Sequence, residues 1–273
     1  MPYLSDLHIY PIKSTAGLRL ERAFVEREGL AFDRRFILTD SRGRFLTARK
    51  HPALLRVRAT PCVEGLILSA TGCADMRLSY SQFSTRYQPV QVWDDEVQGQ
   101  QCSEAADRWF SDYLGMPCQL LYFGSASRRV TALNPDAPVA FADGYPLLLI
   151  GQGSLQDLAH RCETPLSMGQ FRPNLVIADS EPYAEDHWKR IRIGSLELEF
   201  VKPCSRCVMV NLDSQTALAN PQQQPLRTLA KYRRGEKGQV LFGQNLVPMN
   251  EAVLEVGMEV EILELWPANS QAL

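Results

Sequence analysis

Most of this chain is written in a two-residue rhythm. The segments "RRFILTD", "LLRVRAT", "GLILSAT", "VQVWDD", "IRIGSLELEF" and "LEVGMEVEILEL" alternate apolar with polar residues and are rich in Val, Ile, Leu, Phe and Tyr. Alternation at period two sends successive side chains to opposite faces of a strand, so a chain with this many such runs is dominated by β-sheet. Tight turns join several of them: "DSRG" at 40–43, Gly194 with Ser195, and Val256 with Gly257 before the last strand. Strands closed in this way predict hairpins in a barrel or a strongly curved sheet.

Helical periodicity is confined to three places. "SEAADRWFSDYLG" opens on Ser103 as N-cap, places Ala106, Trp109, Phe110, Tyr113 and Leu114 on one face, and stops at Gly115. "GSLQDLAHRC" offers Ser154 as N-cap with Asp157 three residues on, and buries Leu155, Leu158 and Cys162. "PLRTLAKYRR" starts on Pro225, carries Leu226, Leu229 and Tyr232 on one face and ends in cations. At 273 residues the chain is long enough for one large or two modest domains. The turn-rich stretch "GSASRRVTALNPDAP" at 124–138 is the best boundary, giving domains at 1–123 and 124–266, and "VAFADGYPLLLIG" after it reads as the next strand.

Charge is nearly balanced, with 29 basic against 31 acidic residues and a net charge of −2, so bulk electrostatics favours neither a nucleic-acid nor a membrane partner. The N-terminus lacks a basic region followed by an apolar stretch, and the run from Tyr145 to Gly151 is too short to cross a bilayer. Seven cysteines, at 62, 73, 102, 118, 162, 204 and 207, do not form the pattern of a disulfide framework. A reducing, cytosolic compartment is the expectation.

Two of those cysteines stand close together in "KPCSRCVMVNLD", residues 202–213. A structural zinc site needs four ligands, and the histidines at 8, 51, 160 and 187 are isolated. A redox Cys-x-x-Cys sits at the start of a helix, whereas "VMVNLD" reads as strand. Two buried cysteines packing as small apolar groups is a third reading. A fourth is a single working thiol at Cys207, with Arg206 and Lys202 favouring the thiolate that binds soft or high-valent metals, provided other ligands come from elsewhere. "WDDEVQGQ", with Asp94, Asp95 and Glu96, reads as a solvated hairpin end rather than a metal site, and residues 53–100 contain no further chemical constellation.

"IYPIKS", "FDRRFILTD", "FLTARKHPALL", "FADGYPLLLI", "FRPNLVI", "YAEDHW", "PCSRC" and "LFGQNL" follow one another in the order of a known family. From about residue 3 to about 265 the chain resembles the MOSC proteins of the YcbX and mitochondrial amidoxime-reducing-component type. The resemblance implies a β-rich α+β fold: a MOSC β-barrel with a few helices, preceded by a MOSC-associated β-rich α/β domain. It implies a molybdenum cofactor, Mo-molybdopterin, with Cys207 as the protein ligand to the metal and Cys204 structural. Lys13, Ser14, Arg34, Arg172, Asn174, Ser205 and Arg206 match cofactor-binding positions, and Gln244 and Asn245 are weaker candidates beside Gly243. Asp143 matches a carboxylate near the metal, followed here by Gly144 and Tyr145 where some relatives carry small hydroxyl residues. Pyridoxal phosphate binding is a further property the family can carry. The implied reaction is reduction of an N-hydroxylated small molecule, such as a hydroxylamino base or an amidoxime. No ferredoxin-type cysteine cluster follows "LELWPANSQAL", so a separate ferredoxin-like or flavoprotein donor is expected. The rival is a non-catalytic sulfur or cofactor carrier with a persulfide on Cys207; a sulfur carrier has no need of the basic set Lys13, Arg34 and Arg172, whereas a pterin phosphate does.

Overall fold

The computed structural model describes residues 1–162 and 164–267. Its largest sheet has eight strands in the order Val260–Leu265, Trp188–Ile193, Leu196–Arg206, Val240–Pro248, Leu147–Gly151, Leu175–Ala178, Tyr3–Ile9 and Leu18–Leu20. Leu147–Gly151 and Leu175–Ala178 run parallel, and the other pairings in this sheet are antiparallel. Its ladder does not close, but the sheet curls until Tyr3 bridges Glu259, with Leu4 N–H donating to Met258 O and Val260 N–H to Pro2 O, both at 2.9 Å. The alternating pattern explains the curl. Leu196, Leu198 and Phe200 point inward with Leu4, Leu7, Ile191 and Ile193, while Glu197 and Glu199 point out, so burying one face of a twisted sheet rolls it up.

Beside it lies a four-stranded sheet, Phe36–Asp40, Cys118–Tyr122, Asp95–Gln101 and Tyr87–Val92, and a three-stranded one, Arg58–Cys62, Gly65–Ser69 and Met76–Ser79. Helix α1, Glu104–Leu114, covers them. Ser103 accepts the Ala106 N–H at 3.2 Å, Gly115 closes the helix at φ 66°, and Ala106 and Phe110 are buried. A second three-stranded sheet pairs Ala252–Glu255 with Arg22–Glu26, which pairs with Gly29–Leu30. Residues 1–30 therefore share sheets with residues 147–265, so a boundary near residue 124 divides the sequence without dividing the sheets.

Several local readings are corrected. Helix α2, Gln152–Cys162, begins before Ser154, whose hydroxyl donates to the buried Glu185 instead of capping. Helix α3 spans Leu226–Tyr232. Val256 and Gly257 do not close a hairpin, because the strands on either side join different sheets. The strand expected from "VAFADGYPLLLIG" starts only at Leu147, and residues 139–146 form no helix or strand. "VMVNLD" is not a strand: Val208–Asn211 is a single 3-10 turn starting after Cys207. Among the described residues no helix is long and apolar enough to cross a membrane.

Candidate functional site

Loops at the ends of several of these strands converge on one cleft that opens to solvent. Its walls carry Lys13, Ser14, Arg34, Arg49, Asp143, Arg172, Ser205, Arg206, Cys204, Cys207 and Asn245. Ser14, Arg34 and Arg172 all have positive φ, at 72°, 47° and 57°. Left-handed backbone is uncommon for residues with side chains, and three such positions around one cleft mark a conformation that the surrounding packing enforces. Between Pro203 and Ser205 the strand pairing with Val240–Pro248 shifts register, an irregularity at Cys204 where the strand passes the cleft.

Five cations, Lys13, Arg34, Arg49, Arg172 and Arg206, face this space against one lining carboxylate, Asp143. In a chain of net charge −2 that is a local excess of positive charge. Arg34 and Arg172 lie 4.2 and 4.1 Å from the centre of the buried Tyr10 ring, a cation–π arrangement that holds both guanidinium planes. Arg34 donates to Asp33 at 2.6 Å, Asn174 Oδ1 at 3.1 Å and the Arg172 carbonyl at 3.2 Å. Arg172 donates to Thr15 O at 2.6 Å. Burial pulls the Arg172 guanidinium down to about 10, with Tyr10 opposing the shift and Arg34 adding to it. Burial also pushes the Tyr10 phenol up to about 12.

Lys13 is 5% exposed, and its ammonium donates to Phe141 O at 2.8 Å and Asp143 Oδ1 at 2.5 Å. Burial lowers the Lys13 pKa and Asp143 offsets part of that loss. The Asp143 side chain is 70% exposed, on the open side of the pair. The crowded wall works to raise its carboxyl, but Lys13, with Arg49 and Arg34, holds it well below the usual carboxylate range. Cys204 has its thiol raised by burial, with Arg206 pulling the other way. The Arg206 guanidinium donates to Phe242 O at 2.7 Å and Phe171 O at 2.9 Å and leaves its buried Nη2 without a protein acceptor. The Arg49 Nε is likewise buried and unpartnered.

Most sequence-nominated residues therefore share one cleft, with two differences. Gln244 is not in it. Its amide turns to the opposite face of the strand and donates to Asp186 Oδ1 at 2.6 Å, while the neighbouring Asn245 faces the cleft. Asn174 reaches the cleft but is 1% exposed and already engaged, accepting from Arg34 and Leu148 N–H and donating to His8 O. Gly243, at φ 75°, fits only glycine: a Cβ there would stand 2.7 Å from Ile150 Cγ1 and 2.8 Å from Leu149 O. Arg49 was not singled out by the sequence, although it sits inside the "FLTARK" motif; a lone arginine on a loop carries no signal of which way it points.

The MOSC N-terminal beta barrel domain matches residues 1–117 and the MOSC domain matches residues 136–261. The Mus musculus mitochondrial amidoxime-reducing component 1 is 33% identical over 279 residues, covering 95% of this chain and 82% of that protein. The chain belongs to the MOSC family, in its amidoxime-reducing-component type. The Homo sapiens counterpart is 31% identical with the same coverage. The Arabidopsis thaliana molybdenum cofactor sulfurase is 31% identical over 88% of the MOSC chain, which spans 32% of that longer protein.

The residues of the MOSC cleft fit a molybdenum cofactor on their own chemistry. Orphaned donors on Arg49 and Arg206 and the surplus of cations suit a phosphate and a polar heterocycle. Among the described residues no three His, Cys, Asp or Glu side chains converge as a metal site, so a metal held at Cys207 needs its other ligands from outside the chain, as a dithiolene cofactor supplies them.

Proposed function

We propose that this MOSC protein is a molybdenum-cofactor-dependent reductase of N-hydroxylated compounds, taking electrons from a separate ferredoxin-like or flavoprotein donor in a reducing, cytoplasmic compartment. The observation that carries the reading is the joint lining of one cleft by the Cys207 thiol and five cations, two with unpartnered buried donors. When bound, the cofactor would supply the two-electron chemistry that removes oxygen from nitrogen. Cys207 would be its protein ligand. Lys13, Arg34, Arg172 and Arg206 would hold its phosphate and heterocycle, Ser14, Ser205 and Asn245 would add hydrogen bonds, and Asn174 would act by fixing Arg34.

Reduction of R–NHOH to R–NH2 and water consumes two electrons and two protons. Asp143 is poorly suited to donate one, because its carboxyl stays ionised far below neutrality. It serves better as an acceptor that orients a substrate N–H, with the proton of the pair held on Lys13 Nζ. Pyridoxal phosphate is not part of this reading, because Lys13, the buried amine of the cleft, is engaged by Asp143 and Phe141 O.

The second reading, a sulfur or cofactor carrier using a persulfide on Cys207, is favoured by the likeness to molybdenum cofactor sulfurases. One experiment separates the two. Native chain, Cys207→Ala and Cys204→Ser are expressed in a host competent for cofactor synthesis, assayed for molybdenum and pterin, and given an N-hydroxylated purine with a reduced viologen donor. The reductase reading expects near-equimolar metal and turnover in native chain and Cys204→Ser, neither in Cys207→Ala, and no turnover with NADH alone. Protein without molybdenum or pterin but with a persulfide on Cys207 would establish the carrier instead.

A further inference from the structure

The hairpin of Tyr87–Val92 and Asp95–Gln101 belongs to the four-stranded sheet, yet its turn reaches the wall that carries Asp143. Trp93, at φ 56°, stacks 4.5 Å from the Arg49 guanidinium and meets Phe45 edge-on at 5.0 Å, and Lys13 Nζ lies 5.5 Å from that Phe45 ring. Asp95 accepts the Arg129 Nε–H at 2.7 Å. The Arg129 side chain is 5% exposed, and its other nitrogens donate to Ala140 O at 3.1 Å, Ala142 O at 2.5 Å and Asp143 O at 3.2 Å. Lys13 takes the carbonyl between them, Phe141 O. Two buried cations therefore hold the carbonyls of 140, 141, 142 and 143 in succession.

We infer that Asp95 is a positioning residue that acts through Arg129 to fix segment 140–143 and, with it, the Asp143 carboxylate in the cleft. Residues 139–146 form no helix or strand, so these bonds stand in for a ladder. A guanidinium has five donors in a rigid fork and can grip several carbonyls at once. Buried, it needs a counter-charge to stay in place, and Asp95 supplies it from the hairpin of the four-stranded sheet. The hairpin turn is thus part of the site, although none of its residues lines the cleft. The consequence for turnover rests on the reductase reading; the ordering of the segment does not.

The test uses the full, cofactor-loaded chain. Asp95→Asn is expected to lower kcat for an N-hydroxylated purine by about tenfold while KM moves less than about twofold, because the reacting groups are misaligned rather than lost. Asp95→Glu restores most of the rate. By hydrogen exchange, the amides of Val139 and Phe141, which donate to Arg129 O at 3.1 Å and Arg34 O at 3.0 Å, open about tenfold more readily in Asp95→Asn than in the native chain, as loosening of the segment requires. Native exchange in Asp95→Asn overturns the inference whatever the rate does. If that variant fails to fold, Arg129→Lys, which keeps the charge but not the fork, is read the same way. A loaded native chain with no turnover sinks the reductase reading, and the exchange measurement still decides the clamp.

Discussion

Two clusters of charge lie on opposite faces of the strand Val240–Pro248, and they are built to opposite ends. On the Gln244 face, Asp186 and Arg233, 7% and 5% exposed, pair at 2.7 Å, with Gln244 donating to the same carboxylate. Beside them Glu185 is 1% exposed and accepts from Gly151 N–H and Ser154 Oγ. On the Asn245 face, five cations answer to one lining carboxylate. The first cluster spends its one cation on Asp186 and meets Glu185 with neutral donors, holding the fold; the second leaves a surplus of cations. Burial alone does not distinguish structure from function here, whereas the local balance of charge does.

The contrast breaks most readily by making the same change in both clusters. Arg233→Met leaves Asp186 buried without its cation and should destabilise the fold by about 3–5 kcal/mol. Arg49→Met keeps the stem against Trp93 and removes a guanidinium with no protein acceptor at Nε, so chemical denaturation should move by no more than about 0.5 kcal/mol, while cofactor retention falls. Equal losses for the two variants would refute the distinction. A step down in size, Gln244→Ala should cost about 1–3 kcal/mol by stranding one bond of a buried carboxylate, and Asn245→Ala less than about 0.5 kcal/mol. Urea unfolding of the pair reads which face each amide occupies.

The smallest effect is also the sharpest in sign. Burial raises the Glu185 carboxyl above its ordinary 4.5, against the pull of its hydrogen bonds. Between 4.5 and that raised value the folded chain keeps a proton that the unfolded chain releases, so stability falls as pH rises through the window. Asp143 behaves oppositely. Its carboxyl is held below its ordinary 3.8, so it contributes stability above that value, and this is lost as pH falls toward the depressed value. Stability measured against pH should lose the first slope in Glu185→Gln and the second in Asp143→Asn, with the Asp143 slope the shallower because water reaches most of that side chain.

Much of this was legible beforehand, and particular residues show why the rest was not. Period two located Leu196, Leu198 and Phe200 in the core. Motif order assigned Lys13, Arg34, Arg172 and Cys207 to a common site, and they share the cleft. Yet alternation cannot say which of two adjacent polar residues faces a cleft, and so Gln244 was grouped with Asn245. It also cannot separate a short apolar run in a strand from one in a 3-10 turn, and Val208–Asn211 forms the turn. Asp95 read as a solvated hairpin end; its partner Arg129 is 34 residues away, a distance no local pattern spans.

By itself the sequence determined the strand-rich class and the α1 boundaries at Ser103 and Gly115, because alternation and capping are local properties. Tertiary structure decided how residues 1–30 share sheets with 147–265, which cations kept unpartnered donors, and how a hairpin from one sheet braces the Asp143 segment. Those outcomes depend on contacts between residues tens to hundreds of positions apart, and such contacts exist only once burial of the alternating faces has brought the sheets together.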